Sequence, residues 1–342
     1  EIAQLFGVPE SLAVDIKGIA IDSRKIQPGE LFIALRGDYF DGHDFIEEVA
    51  QKGAAAIICE KACKNVDVPQ FIVSSTLDAL AQLALFHRQK MTCPVIALTG
   101  SNGKTTVKEM IHCIFPKPAH ATPGNLNNHI GVPLSILQLG SDDRYAVFEL
   151  GANHVGEIAS TVFLVQPQVT LINNIGPAHI QGFGSIEGVA RAKGEIHQGL
   201  ILGGTAVINA DDDYAHFWDD LLIGKKVLRF SLHQPTDIYA KAIEFNDQGC
   251  ATFTLVLPVG QVLIRLQVPG EHSVSNALAA AACCYAVGSI RLHEIASGLM
   301  NFRGVAGRMT FRQGKNQALI IDDTYNANLR SVLAAIEVLS KR

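Results

Sequence analysis

The 342-residue sequence predicts an α/β protein built around a mainly parallel sheet. Short apolar runs alternate with segments in which apolar residues recur at helical spacing, and this alternation is typical of parallel strands covered by helices. From Ile238 to Val268 the pattern changes to three strand-like runs, separated by turn residues at 246–249 and 258–260. We therefore expect antiparallel hairpins added to the parallel sheet.

The first two predicted domains cover residues 1–90 and 91–306. Each contains strand patterns followed by helical patterns. In the first domain, strands are predicted at 31–35, 55–59 and 71–73, and helices at about 44–52 and 76–90. In the second, strands are predicted at 95–99, 145–150, 169–173 and 206–209, and helices after the strand at 95–99 and at about 273–287 and 292–299.

A third predicted domain, 307–342, contains a strand at 318–323 and an amphipathic helix at 331–340. One strand and one helix cannot bury a core alone. We therefore expect this domain to be truncated, the alternative being that it packs on its neighbours.

Composition and charge exclude several classes of protein. The net charge is -5 and no run of Lys or Arg occurs, which argues against nucleic-acid binding. The seven cysteines show no C-x-x-C spacing and are odd in number, as expected in a reducing, cytoplasmic compartment. The longest apolar helical stretch is too short to insert into a membrane, and the first residues do not resemble a signal peptide. A monomer is the default expectation.

A glycine-rich loop follows the predicted strand at 95–99 and precedes a helix. This arrangement binds phosphate through backbone N–H groups and the helix end, with Lys104 at the outer phosphates and the Thr105 hydroxyl on Mg²⁺. Leu98 stands where the longer G-x-x-x-x-G-K-[ST] pattern has glycine, so the loop is short. A chance Gly-Lys-Thr is the alternative, which the flanking strand and helix disfavour. The loop comprises Thr99, Gly100, Ser101, Asn102, Gly103, Lys104, Thr105 and Thr106.

Two further side chains are expected at the same sheet edge. Glu149 ends one predicted strand and His179 follows another, and the carboxyl ends of such strands are where α/β sheets bind ligands. A helix cap or ion pair is the alternative for Glu149, and an ordinary surface histidine for His179.

Lys193 lies within the apolar stripe of its predicted helix, seven residues from both Ile186 and Leu200. Its amine is therefore expected to point inward, where an unpaired charge is costly. Two explanations remain open: the amine reaches water or pairs with an acid, or its pKa is lowered and it takes part in chemistry.

Several segments together resemble the Mur ligases of peptidoglycan synthesis, whose relatives include folylpolyglutamate synthase. The similarity is greatest to the members that add D-alanyl-D-alanine, and it extends from Asp22 to near the last residue. The segments that carry it are the loop 99–106, 122–128 with 131–133, 149–154, 173–179 continuing through 182–185 to 192–195, and 322–328.

The resemblance implies three domains: one for the UDP end of the substrate, one ATPase, and a Rossmann-like domain that closes over the nucleotide. It implies ATP and Mg²⁺ as cofactors. Lys104 and Thr105 then serve the phosphates and a first Mg²⁺ with Glu149, and His179 serves a second. Lys193 matches a lysine that the family often carries as a metal-binding carbamate.

Other positions also match the family. The resemblance places Asn276, Arg308 and Asp323 at the nucleotide, and Ser23 and Arg24 at the UDP group. Two residues depart from the family pattern, since Ser273 stands where Asn is common and Leu329 where Pro is common. The resemblance places both positions at loops on the nucleotide side of the site. The positions that it assigns to the remaining substrate are Asn127, Asn128, Asn153, His154, Asn326 and Asn328.

The implied reaction joins UDP-N-acetylmuramoyl-tripeptide to D-alanyl-D-alanine through an acyl phosphate. One alternative is another member of the family, such as the diamino-acid-adding enzyme, although the chain has no Asp-Asn-Pro-Arg segment of the kind that enzyme uses. A folate-adding relative is disfavoured because the first 90 residues match a UDP-binding domain. An alternative from another class is a nucleotide-binding regulatory ATPase.

Overall fold

The structure is a computed structural model that describes residues 5–6, 14–177, 180–326 and 329–340. The chain divides into two compact units. The first comprises residues 1–90 with 136–138, and the second comprises residues 91–135 with 139–342.

The first unit is organised around a four-stranded, fully parallel sheet. Its centre is apolar, because Phe32 and Ile57 on adjacent strands are at most 1% exposed. Burial of such side chains is the main stabilising contribution in a small unit of this kind. In sheet order the strands are β1 (Ile19–Ala20), β2 (Leu31–Ile33), β3 (Ala56–Cys59) and β4 (Gln70–Ile72), with a 3₁₀ helix at Gly42–Phe45 and helices α1 (Ile46–Gln51) and α2 (Thr76–Lys90).

The second unit contains a nine-stranded sheet in the described part of the chain. Its order is β13-β12-β11-β10-β9-β8-β5-β7-β6; the strands from β11 to β6 run parallel, and β12 and β13 are antiparallel. The strands are β5 (Val95–Thr99), β6 (His120–Ala121), β7 (Ala146–Glu149), β8 (Val169–Ile172), β9 (Thr205–Asn209), β10 (Lys226–Ser231), β11 (Ile238–Phe245), β12 (Cys250–Leu257) and β13 (Gly260–Pro269). A separate antiparallel pair consists of β14 (Thr310–Gln313) and β15 (Leu319–Asp322).

Several helices of this unit pack on the sheet through apolar faces, including those at Lys104–Ile114, Glu271–Val287 and Leu292–Asn301. The longest is alanine-rich and almost wholly buried from Ala277 to Cys284, which allows close packing against the strands. No helix in the described ranges has the combined length and apolar character needed to cross a bilayer. The helices are α3 (Lys104–Ile114), α4 (Gly131–Ile136), α5 (Glu157–Val165), α6 (Ile180–Phe183), α7 (Ile186–Gly194), α8 (Glu271–Val287), α9 (Leu292–Asn301) and α10 (Leu329–Ser340), with 3₁₀ turns at Glu195–Gly199, Asp220–Leu222 and Lys315–Gln317.

The predicted α/β class, with a mainly parallel sheet and added hairpins, is confirmed. The predicted helix at 76–90 matches α2, and the hairpin turns fall where the turn residues stand. Four strands were not predicted. The strands β1 and β6 have only two residues each, whereas β10 and β14 mix charged and apolar residues without a clear period.

Candidate active site

A cavity of about 660 Å³ opens at the carboxyl ends of the parallel strands of the second unit. The strand β5 lies between β8 and β7, because the chain first adds β6 and β7 on one side of β5 and then crosses to add β8 on the other side. Such a reversal creates the crevice in which α/β sheets bind ligands. The predicted site residues that line the cavity are Gly100, Ser101, Asn102, Gly103, Lys104, Thr105, Thr106, Asn127, Asn128, Glu149, Asn153, Lys193, Asn276, Arg308, Asp323 and Asn326.

Other predicted site residues lie elsewhere. Thr99 is fully buried at the end of β5, and the ring of His154 is exposed and lies 3.0 Å from a carboxylate oxygen of Glu157. Neither residue lines the cavity. His179 and Asn328 lie outside the described residues.

Ser23 and Arg24 belong to the first unit. The guanidinium of Arg24 donates two hydrogen bonds of 2.8 Å to Asp22, which holds the pKa of that carboxyl at about 2. The carbonyl oxygen of Ser23 accepts a hydrogen bond of 2.8 Å from Lys52 Nζ. These bonds fix the segment that the resemblance assigns to the UDP group.

The phosphate loop is held in shape by the segment that follows β8. Ser101 and Asn102 donate their backbone N–H groups to the carbonyl and side-chain oxygens of Asn174, at 2.9 and 2.8 Å. Lys104 Nζ donates to the Gly100 carbonyl at 2.8 Å, and burial lowers the pKa of this lysine, opposed in part by the charge of Glu149. The backbone N–H groups of Ser101 and Asn102 are therefore already bonded within the protein, which leaves Lys104 and the start of α3 as groups that can bind an anion.

Gly103 explains why the loop requires a glycine before its lysine. Its φ is +77°, in the left-handed region, and a Cβ there would lie 2.6 Å from both Asn173 Nδ2 and Asn276 Oδ1. These two amide groups are bonded to each other at 3.0 Å. The loop, the end of β8 and helix α8 therefore meet at one point.

Glu149 and Thr105 form the oxygen-rich part of the cavity. Thr105 Oγ1 donates to Glu149 Oε2 at 2.9 Å, and Asn127 Nδ2 donates to Glu149 Oε1 at 2.8 Å. Glu149 is only 2% exposed, and no Lys or Arg of the described ranges forms a salt bridge with it. A buried carboxylate with neutral partners favours a bound cation, and carboxylate and hydroxyl oxygens suit Mg²⁺. These residues fit the metal that the family pattern implies.

Arg308 reaches the same hydroxyl from the C-terminal segment. Its Nη2 donates to Thr105 Oγ1 at 3.0 Å, and its guanidinium lies 4.2 Å from the centre of the Tyr325 ring. Its Nε is buried and has no hydrogen-bond partner within the described part of the chain. The neighbouring backbone is held by Asp323, whose carboxylate accepts the Met309 N–H at 3.1 Å. The cationic group of Arg308 therefore adds positive charge beside the phosphate loop.

Lys193 points into the protein, as its position in the apolar stripe predicts, and is 2% exposed at the end of α7. Burial, reinforced by the charge of Lys104, lowers the pKa of Lys193 well below its usual value. No acid of the described ranges forms an ion pair with it. Burial and the nearby charge of Lys104 therefore disfavour the charged form of this amine, and no ion pair with the described residues compensates for it.

The cavity also has polar residues that the motifs did not identify. Asp211 and Asp212 follow β9 and are held in place: Asp212 accepts the Ile175 N–H at 2.8 Å, and Asp211 accepts the Leu232 N–H at 2.5 Å. Their position after an apolar strand, at the same edge as Glu149, was the signal that could have found them. The other residues of this group are Glu157, Asn209, Asp213, His233, Glu271, His272, Ser275 and Ser331.

Two family models match the sequence. The Mur ligase middle domain covers residues 98–284, and the model described as Mur ligase family, catalytic domain, covers residues 15–88. The chain belongs to the Mur ligase family.

Similar proteins carry more specific names. The chain is 44% identical over 340 residues to UDP-N-acetylmuramoyl-tripeptide--D-alanyl-D-alanine ligase of Escherichia coli strain K12, covering 98% of this chain and 75% of that protein. A crystal structure of MurF from Acinetobacter baumannii aligns with a TM-score of 0.93 and 39% identity, covering 100% and 76% of the two chains. MurF ligase of Thermotoga maritima in complex with ADP aligns with a TM-score of 0.82 and 28% identity, covering 98% and 76%.

Proposed function

We propose that this protein is an ATP-dependent ligase that adds D-alanyl-D-alanine to UDP-N-acetylmuramoyl-tripeptide during peptidoglycan precursor synthesis. The observation that carries the proposal is the 44% identity, over 98% of the chain, to a relative named for that reaction. The cavity supports it, because a phosphate loop, a buried carboxylate and a buried lysine share one sheet edge.

The reaction has two steps. The terminal carboxylate of the tripeptide attacks the γ-phosphorus of ATP, and the bond from that phosphorus to the oxygen bridging it to the β-phosphate breaks. The products of this step are an acyl phosphate and ADP. The neutral amine of D-alanyl-D-alanine then attacks the carbonyl carbon, and the tetrahedral intermediate expels inorganic phosphate. The amide nitrogen loses one proton to solvent.

The protein contributes mainly position and charge. Lys104 and Arg308 provide positive charge where the phosphates carry negative charge. Thr105 and Glu149 would hold Mg²⁺, which supplies further charge neutralisation when bound. Lys193, as a neutral amine, can combine with CO₂ to give a carbamate, which would turn an inward-facing cation into an anionic ligand.

The remaining residue assignments belong to the same proposal. Asn276 and Asp323 bind the nucleotide, and Ser23 with Arg24 binds the UDP group. We infer that residues 307–342 belong to a third domain, which closes over the nucleotide and excludes water that would hydrolyse the acyl phosphate. ATP and a UDP-linked precursor are cytoplasmic compounds, so we place the enzyme in the cytoplasm. We propose a monomer as the default oligomeric state. The other proposed ligands are His179 for the second Mg²⁺, and Asn127, Asn128, Asn153, His154, Asn326 and Asn328 for the substrate.

Phosphate release by the full-length protein tests the proposal. Release from ATP should require both UDP-N-acetylmuramoyl-tripeptide and D-alanyl-D-alanine, and each phosphate released should match one amide formed. A second assay, with a UDP-N-acetylmuramoyl-dipeptide and a diamino acid in place of these two substrates, distinguishes the diamino-acid-adding reaction. Release that is indifferent to the dipeptide would contradict the proposal and favour a regulatory ATPase.

A further inference from the structure

Lys108 is a fully buried lysine that the reaction does not use. It lies on α3, one helical turn after Lys104, and its side chain is 0% exposed. A buried ammonium group is costly unless all its donors find acceptors.

The amine of Lys108 has three acceptors, which match its three donors. Its Nζ donates to the Thr122 carbonyl at 2.7 Å and lies 3.5 Å from the Gly124 carbonyl. Its third neighbour is Glu109 Oε1 at 2.9 Å, which balances the charge. Two of the three acceptors belong to the segment 122–128, so Lys108 anchors this segment to the helix of the phosphate loop.

The segment 122–128 in turn surrounds Glu149. The Thr122 hydroxyl accepts the Glu149 N–H at 3.0 Å, and Asn127 Nδ2 donates to Glu149 Oε1 at 2.8 Å. The Asn127 carbonyl also accepts the Gly151 N–H at 2.8 Å. Both the backbone and the carboxylate of Glu149 are therefore bonded to the segment that Lys108 holds.

We propose that Lys108 is a positioning residue for the ligase reaction, which holds the segment 122–128 so that Asn127 orients the carboxylate of Glu149. The inference rests on the proposed function for its effect on turnover. Its structural part, the coupling of Lys108 to Glu149 through this segment, does not depend on the reaction.

The main test replaces Lys108 by Met, which keeps the length of the side chain and removes its donors. Partners that orient a metal-binding group typically contribute about 10–100-fold to activity, so we expect kcat of Lys108→Met to fall by that factor. The KM for ATP and the affinity for ADP, measured by calorimetry, should stay unchanged, because Lys104 and the phosphate loop are intact. A loss of ADP affinity equal to the loss of kcat would overturn the proposal.

The matched control is Lys117→Met. Lys117 lies just after the same helix, is exposed, and donates to the His112 carbonyl at 2.8 Å. It therefore loses the same kind of bond away from the segment 122–128. We expect Lys117→Met to have the kcat of the parent and a melting temperature within about one degree of it, since surface substitutions have small effects.

Hydrogen–deuterium exchange provides a readout independent of turnover. In Lys108→Met, the amides of 122–128 and that of Glu149 should exchange faster than in the parent, whereas Lys117→Met should match the parent. Unchanged exchange at these amides would overturn the proposal. If Lys108→Met does not fold, Lys108→Arg takes its place, because it keeps the charge and displaces the donors. Faster exchange at 122–128 together with the full kcat of the parent would then also overturn the proposal.

A double-mutant cycle identifies the route of the effect. If Lys108 acts through Asn127, then Lys108→Met should have little further effect on kcat in the Asn127→Ala protein. Additive losses would overturn that route. If the proposed function is wrong, the parent protein itself will show no phosphate release that depends on both substrates. ADP binding and hydrogen–deuterium exchange would still test the coupling of Lys108 to Glu149.

Discussion

The Thr105 hydroxyl donates a hydrogen bond of 2.9 Å to the carboxylate of Glu149, which joins the first turn of α3 to the end of β7. The two residues are 44 positions apart in the sequence. Their contact places a hydroxyl and a carboxylate from different elements at one point beside the phosphate loop.

The first prediction concerns the Thr105 hydroxyl. Thr105→Ser keeps the hydroxyl and Thr105→Val removes it at nearly constant shape, so the pair separates chemistry from packing. We expect Thr105→Val to lose about 100-fold in kcat in the two-substrate assay, since loss of one charge-stabilising group has effects of that order. Thr105→Ser should remain close to the parent. Equal activity of the two variants would show that the hydroxyl is not needed.

The second prediction concerns the carbamate of Lys193. Lys193→Ala should abolish turnover, and short carboxylic acids such as acetate or formate should restore part of it by placing a carboxylate where the carbamate would be. Lys104→Ala is the matched control, because it also removes a cavity lysine but one that works as a cation. Acetate should therefore not restore Lys104→Ala. Absence of any rescue of Lys193→Ala counts against the carbamate.

The third prediction concerns acid stability. Burial lowers the pKa of His197 to about 3, and that of His120 to about 4, so the unfolded chain binds more protons than the folded protein below pH 6.5. The contribution of these two histidines to the free energy of unfolding should therefore be constant above pH 6.5. Below pH 6.5 the free energy of unfolding should decrease by about 1.4 kcal/mol per pH unit for each histidine. Urea unfolding between pH 7.5 and 5 measures this slope.

His197→Gln tests the assignment of that slope. Glutamine can still bond the Thr170 hydroxyl, which lies 2.8 Å from His197 Nδ1, but it does not titrate. The variant should show about half the acid slope of the parent, because His120 remains. An unchanged slope would mean that other groups cause the acid sensitivity.

The fourth prediction concerns Glu195, which begins the 3₁₀ turn after Lys193. Its two carboxylate oxygens accept the N–H groups of Gly156 and Ala159, at 2.7 and 3.0 Å, and so cap α5. Glu195→Ala should lower the free energy of unfolding by about 1–2 kcal/mol, as expected for loss of a cap. Glu195→Gln retains one acceptor oxygen and should lose less. Denaturant unfolding of both variants checks the order.

The sequence predicted the phosphate loop and the inward direction of Lys193 because both depend on local spacing. A strand, a glycine-rich turn and a helix leave a recognisable pattern, and a lysine in an apolar stripe has one direction available. Glu149 could be placed at the same sheet edge as the phosphate loop for a similar reason, because the carboxyl ends of parallel strands lie together at one edge. These features need no knowledge of distant contacts.

Lys108 was not predicted because its role depends on distant contacts. Lys108 is four residues from Lys104 and so shares its helix face, but two of its three acceptors are the backbone carbonyls of 122 and 124, which no side-chain pattern marks. The strand β10 was missed because Lys226 and Arg229 interrupt its apolar residues. Its pairing with β9 and β11 stabilises it in spite of that composition.

The contact of Gly103 with the amides of Asn173 and Asn276 limits how the enzyme can be recombined with its relatives. Three segments widely separated in sequence share a contact with no room for a methyl group. A chimera that takes the loop from one parent and α8 from another would misplace the lysine that follows the glycine wherever the two parents differ at these three positions. Recombination libraries should therefore inherit these three positions as a block.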